Sequence, residues 1–163
     1  MKISKLLLTT LLITAMSGIS LSAHAADAIK VTSIAQTETE VVGKNGKKTK
    51  VLTPVEKAVP GSEVVFTTTF ENMLDKAAND ISINNAIPDG TTYKAGSAFG
   101  KDCEILFSVD GNFFGFAEEI KIKGEDGKER MALPKEYTHI RWNYKVPLAA
   151  GKSSQVGFRA LIK

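Results

Sequence analysis

The sequence predicts an all-β protein built as an antiparallel β-sandwich. Apolar side chains alternate with period two through a series of runs, and turn residues recur between them at intervals of roughly ten residues. From residue 26 onward no segment keeps a helical apolar stripe for three turns. Successive strand side chains point to opposite faces, so this alternation marks strands with one buried side. The chain has 163 residues, 43% hydrophobic and 24% charged, with Gly 13 and Pro 5. That composition suits one ordinary domain and excludes collagen-like or wholly disordered chains. An up-and-down barrel is the alternative. Irregular loop lengths, Asn72–Asn79 above all, favour the sandwich.

Met1–Ala25 reads as a cleavable signal peptide. Lys2 and Lys5 form a basic start, Leu6–Met16 an apolar stretch, and Ser17–Ala25 a polar end closing on Ala23-His24-Ala25. That small-x-small ending predicts cleavage between Ala25 and Ala26. The apolar stretch is too short and too rich in threonine to span ~30 Å of hydrocarbon, so no transmembrane anchor is expected after processing. No cysteine stands at the new terminus to carry a lipid. The leader implies export to the periplasm or the cell exterior. Loss of Lys2 and Lys5 brings the 21 cationic groups within one of the 18 acidic ones, which gives no reason to expect nucleic acid as a partner.

Residues 26–58 are expected to add N-terminal strands or an extension to the sandwich, and 26–163 to form one domain. Asn45-Gly46 marks a hairpin between Thr39–Gly43 and Lys47–Thr53, with a loose register because Val41, Val42, Val51 and Leu52 are apolar on both faces. Glu63–Asn72 places Val64, Phe66 and Phe70 on one face, and Asp80–Asn84 offers Ile81 and Ile83. Cys103–Val109 points Cys103, Ile105, Phe107 and Val109 inward. Asp126-Gly127 reads as a two-residue type I′ turn, which would set Glu125 opposite Lys128, Ile122 opposite Met131 and Ile120 opposite Leu133. Thr138–Val146 points Ile140, Trp142, Tyr144 and Val146 inward and His139, Arg141, Asn143 and Lys145 outward. Ser154–Lys163 points Val156, Phe158, Ala160 and Ile162 inward. Pro60-Gly61, Pro88-Asp89-Gly90 and Ala149-Ala150-Gly151 punctuate these runs.

An ordered series of motifs carries a family resemblance. Val59-Pro60-Gly61-Ser62-Glu63-Val64-Val65-Phe66-Thr67, Ala78-Asn79-Asp80-Ile81, Ile87-Pro88-Asp89-Gly90-Thr91 and Tyr93 with Gly96-Ser97 form its first half. Phe107-Ser108-Val109-Asp110-Gly111, Tyr137-Thr138-His139-Ile140-Arg141-Trp142, and Leu148 with Gly151 and Phe158 complete it. The series, covering most of 59–163, resembles the DUF11 family of immunoglobulin-like repeat modules in bacterial exported and surface proteins. The family's Asn-x-Gly-like turn is replaced here by Met73-Leu74-Asp75. The resemblance implies a single immunoglobulin-like sandwich of Greek-key type over 59–163, acting as an envelope or surface module with no catalytic residues to carry over.

Candidate chemistry is thin. A single cysteine excludes an internal disulfide and any multi-cysteine metal site. Cys103 is expected inside and His139, the sole imidazole after processing, outside, so the two should not form a nucleophile–base pair. Asp110-Gly111-Asn112 with Gly115 resembles the start of a calcium loop, but Phe114 and Lys121 occupy positions where oxygen ligands are needed. Glu118 and Glu119, adjacent on an expected extended segment, face opposite ways, against a glycosidase pair. No cofactor is expected. Two interaction features remain. Phe113, Phe114 and Phe116 are candidates for a ligand-contacting loop, although core packing of at least two of them is the expectation. Lys44, Lys47, Lys48 and Lys50 form the only basic cluster, either a solvated hairpin tip or a site for an anionic polymer. The leading expectation is a non-enzymatic module with an envelope or surface protein as partner. A glycan or anionic-ligand binder is second, and a hydrolase third.

Overall fold

A computed structural model describes residues 28–163 except 56 and 58; the expected leader, with Ala23, Ala25 and Ala26, lies outside the described residues. Eleven strands follow in chain order: β1 (Ile29–Val42), β2 (Lys48–Pro54), β3 (Glu63–Asn72), β4 (Ser82–Ala86), β5 (Thr91–Tyr93), β6 (Phe99–Gly100), β7 (Cys103–Ser108), β8 (Lys121–Lys123), β9 (Glu129–Met131), β10 (His139–Tyr144) and β11 (Ser153–Ile162). The larger sheet runs β2-β1-β3-β11-β5, with β6 also on β11, and the smaller runs β4-β10-β7. Strands β8 and β9 form a separate ribbon, and every pairing is antiparallel.

The two sheets bury one core between them, the expected sandwich. Phe70, Val156, Phe158 and Ala160 from the larger sheet meet Ile83, Ile140 and Trp142 from the smaller. Trp142 and Phe158 stack with centroids 6.3 Å apart, and Phe158 in turn stacks on Phe66 at 5.1 Å. The inward faces expected for Glu63–Asn72, Asp80–Asn84, Cys103–Val109 and Ser154–Lys163 are the ones that pack, except that Ile162 is half-buried outside the core. Central β3 is buried on its other face too, at Val65 and Thr67.

Three expectations change, and one loop that the sequence left open is defined. Strand β10 ends at Tyr144, so Val146 is exposed rather than inward. The hairpin at Asp126-Gly127 is not type I′: that turn needs positive φ at both central residues, and only Gly127 has it, at 77°. Gly124 N–H donates to Lys128 O at 2.8 Å and Gly127 N–H to Gly124 O at 2.9 Å, giving a three-residue loop closed by a glycine bulge. The register moves by one, pairing Ile122 with Arg130 and Lys121 with Met131. Such a slip swaps faces, so Met131 and Leu133 point to solvent while Ala132 joins Ile120 in the core. Asn45-Gly46 closes its hairpin in the same way, Gly43 N–H donating to Lys47 O. Ala117–Glu119 form a turn, not an extended segment. Finally, the Met73-Leu74-Asp75 loop is organised by buried Asn72, whose Nδ2 donates to Lys76 O and Leu148 O while Oδ1 accepts from Leu74 N–H.

Strands β1 and β2 extend the larger sheet beyond β3. Strand β1 pairs with β3 over Ile29–Thr37 and with β2 over Gln36–Val42, so only Gln36 and Thr37 have paired neighbours on both sides. Beyond that pivot the β1–β2 hairpin projects with apolar side chains exposed on both faces.

Trp142 is fully buried, and its indole N–H finds no acceptor. Replacing it by alanine should lower stability by ~3–5 kcal/mol through the cavity left behind. Trp142→Phe should cost less, because it also removes an unpaired buried donor. Urea midpoints of the two variants measure both effects.

Candidate functional site

Alternation along β10 sends Ile140 and Trp142 into the core and therefore His139, Arg141 and Asn143 to the outer face of the smaller sheet. Register places Ala86, Asn84 and Ser82 of β4 beside them on one flank and Ser108, Leu106 and Glu104 of β7 on the other. The chain after β7 then folds back along its edge, fixed by reciprocal Phe107–Gly115 backbone hydrogen bonds at 2.8 and 3.1 Å. This return lays Phe114 over the row: the Arg141 guanidinium carbon is 3.7 Å from its ring centroid, and His139 meets it edge-on at 6.5 Å. Arg141 Nε–H also donates to Asn84 Oδ1 at 2.7 Å. Gly111, at φ 76°, lets the backbone approach the His139 ring; a Cβ there would sit 2.8 Å from His139 Cε1.

None of the three loop phenylalanines enters the core. Phe113 is 68% and Phe116 42% exposed, and Phe114 is half-buried on the outer face. The expectation that at least two would pack inside fails because Gly115, not a phenylalanine, turns toward Ile120 and leaves no room for a ring there. Arg141 and Asn84 were not singled out from sequence. The only signal was the outward phase of β10, which says nothing about what lies above it.

Asp110 organises this loop. Its Oδ1 accepts from Asn112 N–H at 2.9 Å, Phe113 N–H at 3.0 Å and Ser108 Oγ–H at 3.0 Å. Those bonds, the Asn112 N–H foremost, hold its carboxyl below the ordinary aspartate range. No cluster of three or more His, Cys, Asp or Glu suited to a metal occurs among the described residues. Cys103 pairs with Tyr144 at one end of β10, and His139 with Ser108 at the other, on opposite faces. Burial, aided by Asp102, pushes the Cys103 thiol up, away from the reactive thiolate. Glu119 is turned inward on its own loop, accepting from Phe116 N–H. An apolar cleft of about 260 Å³ is lined by Tyr93, Ile105, Phe107, Ala117, Pro134 and Tyr137. The Tyr137 hydroxyl is spent on Ala117 O, and Tyr93 Oη accepts from Ala98 N–H.

The lysine hairpin is partly neutralised. Lys48 pairs with Glu40 at 3.1 Å and Lys50 with Glu38 at 3.4 Å, leaving Lys44 and Lys47 at the tip. Glu38 also belongs to a larger network. Arg159 of β11 reaches Glu63 of β3 at 2.7 Å and Glu38 of β1 at 3.3 Å, and Lys94 closes on Glu63. These charges tie four neighbouring strands together at the pivot from which the hairpin projects.

The carboxyls of this network titrate low: Arg159, then Lys50, lowers Glu38, and Lys94, then Arg159, lowers Glu63. Elsewhere Arg130 holds Glu136 down to about 2. A carboxyl whose folded value lies below its unfolded one stabilises the fold above the unfolded value and loses that contribution as pH falls through the folded one. Stability should therefore be flat near neutrality and decline below about pH 4.5, the Glu136 share being lost progressively until it is gone near about pH 2. Urea midpoints at pH 7 and pH 3 test this, and Glu63→Gln should reduce the difference between them.

No family model matches the chain, no curated protein matches it, and no solved structure does.

Proposed function

We propose that the protein is an exported, non-enzymatic interaction module of the bacterial envelope or surface, an immunoglobulin-like sandwich of the DUF11 type. The leader at 1–25 and the motif series over 59–163 support the compartment and the family. One observation carries the interaction role: exposed apolar side chains concentrate on the N-terminal strands. Val41, Val42, Val51 and Leu52 face solvent on both sides of the two-stranded projection, and Val31 and Ile34 face solvent where β1 lies along β3. Monomeric surfaces seldom gather apolar side chains in this way without a partner. Over Ile29–Ile34 the outer edge of β1 is also unpaired among the described residues, Ala35 O already accepting from Val55 N–H, and a regular edge strand accepts an added strand through its backbone.

A second reading, binding of a glycan or anionic ligand, is favoured by the exposure of Phe113 and Phe116. The FFGF loop supports it better than the lysine hairpin, where two of the four ammonium groups already have carboxylate partners.

A photo-reactive residue at Ile34 or Leu52, activated in the native host, should yield a discrete protein adduct identifiable by mass spectrometry. The same residue at Ala95, on the loop after β5, should yield none. Equal labelling from all three positions, or none from any, would remove the hairpin as the interaction surface.

A further inference from the structure

Among the described residues, Arg141 is the one arginine without a carboxylate. Arg130 is held by Glu136, and Arg159 by Glu38 and Glu63. Arg141 makes its one hydrogen bond through Nε, to Asn84, and lies against the Phe114 ring. Its two terminal nitrogens, the fork that grips a carboxylate through parallel bonds, are left without a protein acceptor. The contacts it does make hold the guanidinium in place before any ligand arrives, which lowers the ordering cost of binding. Nearby acidic groups do not compete. Glu104 is engaged by Asn143 and Lys145, and the Asp110 carboxylate by its own loop's N–H groups.

Ser82, Asn84, Asn143 and His139 share the face with Arg141. Ser82 Oγ–H is donated to Asn143 Oδ1, Asn143 Nδ2–H to Glu104, and His139 Nδ1 is bonded to the Thr138 hydroxyl. The Asn84 Nδ2 donors and the Ser82 acceptor oxygen are therefore what the row offers a polyhydroxylated ligand beside the guanidinium. Phe113 and Phe116 on the overlying loop expose ring surface of the kind that packs on the C–H face of a sugar. We infer that the outer face of the smaller sheet, centred on Arg141 beneath Phe114, binds a carboxylate-bearing sugar such as a uronic acid unit of an acidic polysaccharide. This rests on the glycan reading above and names its ligand class and its anchoring residue. An acidic peptide side chain would satisfy the guanidinium fork but leave the polar row and exposed rings unused.

The test is calorimetric titration of the protein with trigalacturonate, its methyl ester and polyglutamate. Trigalacturonate should bind, and the ester about tenfold or more weaker, as expected for loss of a charged hydrogen-bonded pair. Arg141→Gln should weaken the acid by a similar factor and leave the ester unchanged. Asn84→Ala should do so in part, without touching the guanidinium itself. Lys44→Gln with Lys47→Gln should change nothing. Equal affinity for acid and ester, or full affinity in Arg141→Gln, overturns the inference. So does polyglutamate binding as tightly as trigalacturonate, which would make the occupant an acidic peptide. Loss of both sugars in Phe113→Ala, with Arg141→Gln unaffected, would keep the glycan reading and discard the carboxylate site. Binding of neither sugar would discard both.

Discussion

The apolar contact of β10 with β3 and β11 is the constraint on which the rest of the molecule depends. Ile140 and Trp142 on one sheet, and Phe70, Val156 and Phe158 on the other, are each at most 1% exposed. Full burial of a large apolar side chain contributes about 1.5–3 kcal/mol, and net stability of a domain is only about 5–15 kcal/mol. A few such residues therefore decide whether the sheets stay together. The same contact orients everything outside it. With the even-numbered side chains of β10 locked inward, its odd-numbered ones have no choice of face.

That coupling places the polar row. His139, Arg141 and Asn143 stand on the outer face as the consequence of Ile140 and Trp142 standing inside. The aromatic loop is then held over them by Gly115 on the β7 edge, by the Asp110 turn, and by the space that Gly111 leaves for the His139 ring. Loop and strand act together. The loop supplies exposed rings, and the strand supplies a charge whose position the loop fixes.

The N-terminal hairpin follows different physics. Past Thr37, β1 loses β3 as a neighbour, and among the described residues no second sheet lies beneath it to bury its valines. What ties it down is the charged cluster of Glu38, Lys50, Glu63, Lys94 and Arg159 at the pivot. Exposed single ion pairs contribute little, whereas one arginine shared by two carboxylates on neighbouring strands also fixes geometry. The projection is therefore anchored at its base and apolar along its length.

Period-two patterning made the sandwich and its inward residues legible before any coordinates, because alternation is a local property with a single physical cause. It failed where that cause is absent. Strands of two or three residues, such as β5 and β6, are too short to alternate. Val41, Val42, Val51 and Leu52 alternate with nothing, and only their position beyond β3 explains their exposure. The hairpin at Asp126-Gly127 was located from its residues, yet its register depended on which of two residues took positive φ. By itself the sequence determined the longer core strands and which way β10 faces, because steric alternation acts between neighbours in the chain. Tertiary structure alone decided that Phe114 lies over Arg141 and that Arg159 joins Glu38 to Glu63. Those contacts join residues far apart in the chain, and no local pattern encodes them.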